Sequence, residues 1–258
     1  MKRRICVTIL FLAVAAATFA APAWLPDFRL STGAGGVFGG HFTDYNMQAG
    51  GILDADQNIN QFELGAFAFF DATFVTFGVA IQHGWNRFDE PVRFDVPFPI
   101  PDPSRDGRGQ ETTLALSLLA RWPFRLNNTI TVFPLAGIDY SFSLRYRRTD
   151  PDGNWYNRDN REYESDRDGN AFSFSDFNAF IVRVGGGAEF DITDRIFLRG
   201  DLLLGIRLRT EWERKNLDAM QSQAMGIQQM MFLPADDSTS LSGISLGPSL
   251  RLGVGWRI

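Results

Sequence analysis

Arg195-Ile196-Phe197-Leu198-Arg199-Gly200-Asp201-Leu202-Leu203-Leu204-Gly205-Ile206-Arg207-Leu208-Arg209-Thr210 decides the reading of this chain. Ile196, Leu198, Leu202, Leu204, Ile206 and Leu208 fall on one face, while Arg199, Asp201, Arg207 and Arg209 fall on the other. A period of two is the signature of a β-strand. Any half-buried strand alternates, so the period alone leaves open which face meets water. The extent of the apolar face narrows the choice. It runs for about ten residues, the length a tilted strand needs to cross the hydrocarbon of a bilayer. The charged face then points away from lipid, toward the inside of a closed sheet.

Seven further segments repeat the pattern. Phe28 to Phe38 places Leu30, Ala34 and Phe38 on one face, and Gln61 to Asp71 places Phe62, Leu64, Ala66, Ala68 and Phe70. Thr73 to Trp85 contributes Val75, Phe77, Val79, Ile81 and Trp85, and Glu111 to Pro123 contributes Leu114, Leu116, Leu118 and Trp122. In Thr129 to Arg147 the apolar face is Ile130, Val132, Ile138, Tyr140, Phe142, Leu144 and Tyr146. Asn178 to Asp191 offers Phe180, Val182, Val184, Ala188 and Phe190. Gly243 to Ile258 offers Ile244, Leu246, Leu250, Leu252, Val254, Trp256 and Ile258. The opposite faces are rich in Gly, Ser and Thr, as a narrow filled interior requires.

The links between segments alternate in length. Those after the second, fourth and sixth segments are Ala72, Phe124 to Asn128, and Ile192 to Asp194. Those after the first, third, fifth and seventh run to about 20–30 residues, the asymmetry of short inner turns and long outer loops in transmembrane barrels. The expected fold is therefore an all-β, eight-stranded antiparallel up-and-down transmembrane barrel with four long loops and three short turns. Trp85 and Tyr146 toward the loop ends, and Trp122, Trp256 and Phe28 toward the turn ends, fit two interfacial girdles.

The N-terminus reads as an export signal over residues 1–23, leaving a barrel domain over 24–258. Lys2, Arg3 and Arg4 precede an apolar run from Ile5 to about Ala17, too short to span as a helix. Small residues offer cleavage after Ala20 or Ala23. Cys6, the only cysteine, lies at the very start of the apolar run and cannot be an acylated residue behind it; after cleavage no disulfide or thiolate metal site is possible. Loss of Lys2, Arg3 and Arg4 takes the formal charge from −5 to −8. An acidic chain with scattered Arg argues against nucleic acid as a partner.

The last residues, Arg251-Leu252-Gly253-Val254-Gly255-Trp256-Arg257-Ile258, resemble the terminal signal that outer-membrane barrels present to their insertion machinery. Arg251, Gly253, Trp256 and Ile258 fit it, although the family usually ends in Phe or Trp. Phe133-Pro134-Leu135-Ala136-Gly137-Ile138-Asp139-Tyr140, and Gly187-Ala188-Glu189-Phe190 followed by Asp194 to Arg199, resemble the small eight-stranded outer-membrane proteins of the OmpA, OmpX and OmpW type. The resemblance implies a place in the bacterial outer membrane, with its lipid and the barrel insertion machinery as partners. On function it implies a range that includes hydrophobic-compound channels, structural anchors, adhesins and lipid-modifying enzymes.

Catalysis has weak support in the residues. His41, in the first long link, and His83 are the only histidines; neither has a Ser two residues away, and nothing marks a Ser-His-acid set. Asp150-Pro151-Asp152-Gly153-Asn154 and Asp166-Arg167-Asp168-Gly169-Asn170 carry oxygen ligands at spacings that can hold calcium, but neither has the full twelve-residue loop with a closing Glu. Asp-Gly and Asn are also ordinary turn residues. No metal site, cofactor or catalytic residue is assigned.

The inward charges are the stronger candidate. Arg29, Glu63, Arg121, Asp139, Arg145, Arg183, Glu189, Arg199, Asp201 and Arg251 are expected to pair as a network in the lumen, joined by Asp71, Glu111, Arg207, Arg209 and Arg257, since unpaired charges there are costly. Such a network would plug a barrel of this size. The long links carry much apolar surface: Phe94 and Phe98 in the second, Met220, Met231 and Phe232 in the fourth. Loop packing and a hydrophobic lid both account for it. Two functional readings stand: a narrow channel or binding site for small hydrophobic compounds, and a non-transporting surface protein for membrane integrity or adhesion.

Overall fold

The computed structural model describes residues 29–49, 53–90, 92–94, 105–149, 155–156, 162–163, 172–173, 178–208 and 239–258. The expected export signal, Phe28, both acidic motifs of the third link and most of the proposed lid lie outside the described residues. Eight long strands dominate: β1 (Leu30–Ala49), β2 (Leu53–Ala72), β3 (Val75–Glu90), β4 (Arg105–Arg121), β5 (Ile130–Thr149), β6 (Ala179–Asp191), β7 (Ile196–Arg207) and β8 (Thr239–Arg257). Each pairs antiparallel with its neighbours in sequence, and β8 pairs back onto β1. The sheet is thus a closed up-and-down ring without a free edge, which satisfies the backbone in lipid. Short strands extend it: Val92–Phe94 on β2, Phe124–Arg125 and Trp155–Tyr156 on β5.

The outward face is the one read from the sequence. Phe62, Leu64, Phe70, Phe77, Val79, Ile81, Leu116, Leu118, Val182, Val184, Leu202, Leu204, Leu250, Leu252 and Val254 are all exposed on it. The short turns also follow the reading. Thr73 and Phe74 link β2 to β3, and Thr73 is the one described non-glycine residue with positive φ, at 39°. That conformation is unfavourable for a β-branched side chain. It is held by the backbone: Arg29 N donates to Thr73 Oγ1 (2.6 Å), and Thr73 N donates to Arg29 O (3.0 Å).

Three expectations are corrected. The first long link is not a loop, because β1 runs to Ala49 and β2 begins at Leu53, leaving three residues between them. His41 therefore lies within β1, buried and facing inward. Arg145 is exposed on the outside, and Tyr146 is buried inside. The cause is a β-bulge: the β4–β5 register shifts between Thr112, which faces Arg145, and Thr113, which faces Ser143. Leu144 is the extra residue, and one inserted residue exchanges the faces of everything beyond it.

The bulge belongs to a wider change. Below it, apolar side chains point out and polar ones in. Above it the order reverses. On β1, Phe38 and Phe42 face out, but further along Asp44 and Gln48 take that face while Tyr45 and Met47 are buried inside. On β2, Leu53 is buried within; on β3, Arg87 and Asp89 face out and Phe88 is buried. The ring continues past the hydrocarbon, and there its outer surface meets water and its interior becomes an ordinary apolar core.

A cysteine placed at Gln48, on this upper wall, should react with a membrane-impermeant maleimide on intact cells. One at Asn127, in a short turn, should react only after the outer membrane is permeabilised. Labelling of Asn127 on intact cells would reverse the orientation.

Candidate functional site

The interior of the ring is filled. Two ion-pair groups occupy it, and the register explains how inward residues of distant strands meet. In the lower group Asp71 of β2 accepts from Arg121 Nη1 of β4 (2.6 Å) and from Arg199 Nη1 of β7 (2.7 Å). Ser31 and Thr76 add hydroxyl donors to the same carboxylate. Arg199 Nε also donates to Asp201 at 2.9 Å. Arg121 Nη2 reaches Glu189 at 2.8 Å, and Arg257 joins Glu189 (3.4 Å) to Asp191. In the upper group Asp139 accepts from Arg183 Nε (2.9 Å) and Arg251 Nη2 (3.0 Å). Arg183 Nη1 also donates to the Gly247 carbonyl (2.8 Å), and Arg251 Nη2 to Ser117 Oγ (3.2 Å).

The two groups balance. In the lower one the carboxylates Asp71, Glu189, Asp191 and Asp201 exceed Arg121, Arg199 and Arg257 by one; in the upper one Arg183 and Arg251 exceed Asp139 by one. Charges buried this deeply persist only when paired and hydrogen-bonded. Of the ten residues expected in this network, Arg121, Asp139, Arg183, Glu189, Arg199, Asp201 and Arg251 are brought together. Glu63 is buried higher up, accepting from Gln61 Nε2 (2.8 Å) and Gln82 Nε2 (3.3 Å), with His41 Nε2 at 3.5 Å. Arg29 is exposed just before β1, at the open rim rather than in the lumen, and Arg145 is outside by way of the bulge.

Sequence reading missed the aromatic half of the plug. Phe67, Phe69, Phe133 and Phe197 are buried inside, and the guanidinium groups stack on them: Arg121 over Phe133 at 4.1 Å, Arg199 over Phe69 at 4.5 Å, Arg257 over Phe197 at 4.9 Å. Leu119, Leu135 and Leu203 pack with Phe133. The signal was there, since these residues share parity with Glu63, Asp71 and Arg199. Inward glycines make the room. A Cβ at Gly255 would collide with the Phe197 ring, and one at Gly187 with the Phe133 ring. Leu203, on the inward face of β7, is therefore in crowded, apolar surroundings.

Among the described residues no group of three or more His, Cys, Asp and Glu is placed to hold a metal ion. His83 Nδ1 lies 2.9 Å from Thr112 Oγ1, and its ring meets Trp85 edge-on. Of the proposed lid only the backbone of Phe94 is described, in the short strand beside β2; Phe98, Met220, Met231 and Phe232 lie outside the described residues. Within the proposed terminal signal Arg251 faces the lumen, Gly253 is half-buried, and Trp256 and Ile258 face out.

No curated protein matches the chain in sequence. Among solved structures, the outer membrane protein OprG from Pseudomonas aeruginosa is similar at 9% identity and a TM-score of 0.43, over 91% of this chain and 97% of that one. Ail, the attachment invasion locus protein of Yersinia pestis, is similar at 11% identity and 0.28, over 88% and 99%. The outer membrane protease OmpT from Escherichia coli follows at 9% and 0.31, over 92% and 100%. Residues 6–225 match the family model described as outer membrane protein beta-barrel domain. With most of its length under that match, the chain belongs to this family of bacterial outer-membrane β-barrel proteins.

Proposed function

We propose that this protein is a non-conducting outer-membrane barrel that strengthens the membrane and presents its upper wall and links at the cell surface. One observation carries the reading: stacked guanidinium and phenyl groups fill the ring across its width, held by carboxylates that are themselves almost fully buried. An eight-stranded ring is just wide enough for its own side chains. A solute passing straight through would have to separate Arg121 and Arg199 from Asp71 in a low-dielectric wall, a costly step. Above the plug the buried Tyr45, Met47, Leu53 and Phe88 add an apolar stopper.

The reading is also non-enzymatic. It rests on His41 sitting inside beside Glu63 and His83 being engaged by Thr112, so neither activates a nucleophile at an accessible rim. The test is electrical. Purified barrel in a planar bilayer should give no discrete current steps under applied voltage. Reproducible unitary steps would overturn this reading in favour of a narrow conduit for small compounds.

A further inference from the structure

We infer that the upper ion-pair group, Asp139 with Arg183 and Arg251, is the latch that keeps the ring shut along the β1–β8 seam. This seam joins the two ends of the barrel. Among the ladders between long strands, it alone skips pairs without a bulge. Its partners run from Ser31 and Arg257 to Gly39 and Ser249, then resume in the same register at Phe42 and Leu246. Gly40 and His41 would meet Pro248 and Gly247 in the gap, and Pro248 has no N–H to give.

The break belongs to the seam and not to the strands. Through the gap β1 stays laddered to β2, and β8 stays laddered to β7. Above the gap β8 is held less well. Its pairs with β7 end at Ser245, while those with β1 run on to Thr239. Among the described residues, no other strand pairs with residues 239–244. A segment held by one ladder opens at lower cost than one held by two. Side chains inside the seam supply little in compensation: Gly33 stands against Gly255, Gly35 against Gly253, and Gly39 against Ser249.

The upper group spans this weak place from within. Arg183 of β6 lies across β7 at Gly205, where a Cβ would strike its guanidinium. From there its Nη1 donates to the Gly247 carbonyl beside the gap, at 2.8 Å. Arg251, on β8 just below the gap, reaches Asp139 of β5 (3.0 Å) and Ser117 of β4 (3.2 Å). Asp139 accepts from both arginines. One carboxylate on β5 thus holds β8 twice, directly through Arg251 and by way of Arg183. Asp139 is 1% exposed, and charge-assisted bonds are strongest in such surroundings. The lower end of β8 is tied separately, by Arg257 to Glu189 and Asp191, where the ladder is unbroken.

The latch is independent of whether the lumen conducts, because current along the axis and opening of one seam are separate measurements. Amide hydrogen exchange, followed by NMR on the barrel refolded in detergent micelles, reads each ladder on its own. Asp139→Asn keeps the volume and removes the charge that both arginines share. It should speed exchange about tenfold at the amides through which β1 and β8 face each other around the gap, the effect of losing one charge-assisted hydrogen bond. The β3–β4 ladder around Val79 and Leu116 should exchange as in the parent. Leu119→Ala, which opens a hole in the buried apolar core, should loosen the ladders without singling out the seam. Arg183→Lys keeps a cation beside Asp139 but loses the fork that also reaches Gly247. It should loosen the seam to a smaller degree, and it carries the test if Asp139→Asn does not fold. Equal loosening of every ladder by Asp139→Asn, or a seam unchanged in the folded variants, would overturn the inference.

Discussion

Asp71→Ala should lower the stability of the refolded barrel by about 3–5 kcal/mol, because it removes the carboxylate that two buried cations share and leaves each with a single partner. Asp71 is 2% exposed and holds Arg121 and Arg199 at once. Neither arginine has water to turn to, and their stacked rings, Phe133 and Phe69, compensate little of the lost charge. Asp71→Asn, which keeps the volume and some hydrogen bonding, should cost less. Urea titration of the barrel in lipid vesicles, followed by tryptophan fluorescence, measures both. A loss for Asp71→Ala no larger than that of an exposed surface substitution would mean that Arg121 and Arg199 are sustained by Glu189 and Asp201 alone.

The reversal of polarity along β1 gives the second large effect. Phe38→Arg puts a cation into hydrocarbon and should cost about 2–4 kcal/mol. Gln48→Arg, on the same face ten residues further on, should be nearly neutral, since that face is then in water. Met47→Arg, one residue away but pointing into the apolar stopper, should again be strongly destabilising, by about 3 kcal/mol or more. The same vesicle titration compares the three. If Gln48→Arg were as damaging as Phe38→Arg, the lipid boundary would lie beyond Ala49 and the reversal would not mark it.

The lipid-facing band was legible because lipid imposes one demand without exception: every second residue must be apolar for about ten residues. Leu202, Leu204 and Ile206, or Phe62 to Phe70, satisfy it without help from the rest of the chain. The lumen is governed by pairing between strands far apart in sequence. Arg and Asp at inward positions could be listed from parity, but that Arg199 meets Asp71 across 128 residues depends on register. The inward phenylalanines were overlooked because Phe on a polar face reads as an exception until the facing glycines are in view. Residues 43–59 misled for another reason. Asp44, Asn46 and Asp54 are ordinary loop residues, and the alternation Tyr45, Met47, Leu53 runs on the opposite parity to Phe38 and Phe42. A strand that leaves the membrane keeps its period and exchanges its faces, so a search for one continuous stripe stops at the boundary. Arg145 was misassigned on the same principle, with the exchange made by a bulge.

The length of β1 and β2 has a consequence for what the cell shows to its surroundings. Twenty residues at about 3.3 Å each, tilted by about 40°, rise roughly 50 Å, twice the roughly 25 Å of the apolar band. The first hairpin is thus a stiff mast rather than a tether. Its two strands stay paired as far as Ala49 and Leu53, with only three residues between them. Proteases that shave cells need a segment they can pull into extended form, and this one is tied by the ladder to β8 on one side and by those to β3 and the short strand Val92–Phe94 on the other. Antibodies to it would have to recognise a shaped epitope assembled from neighbouring strands, because residues 43–49 and 53–58 are held in paired backbone.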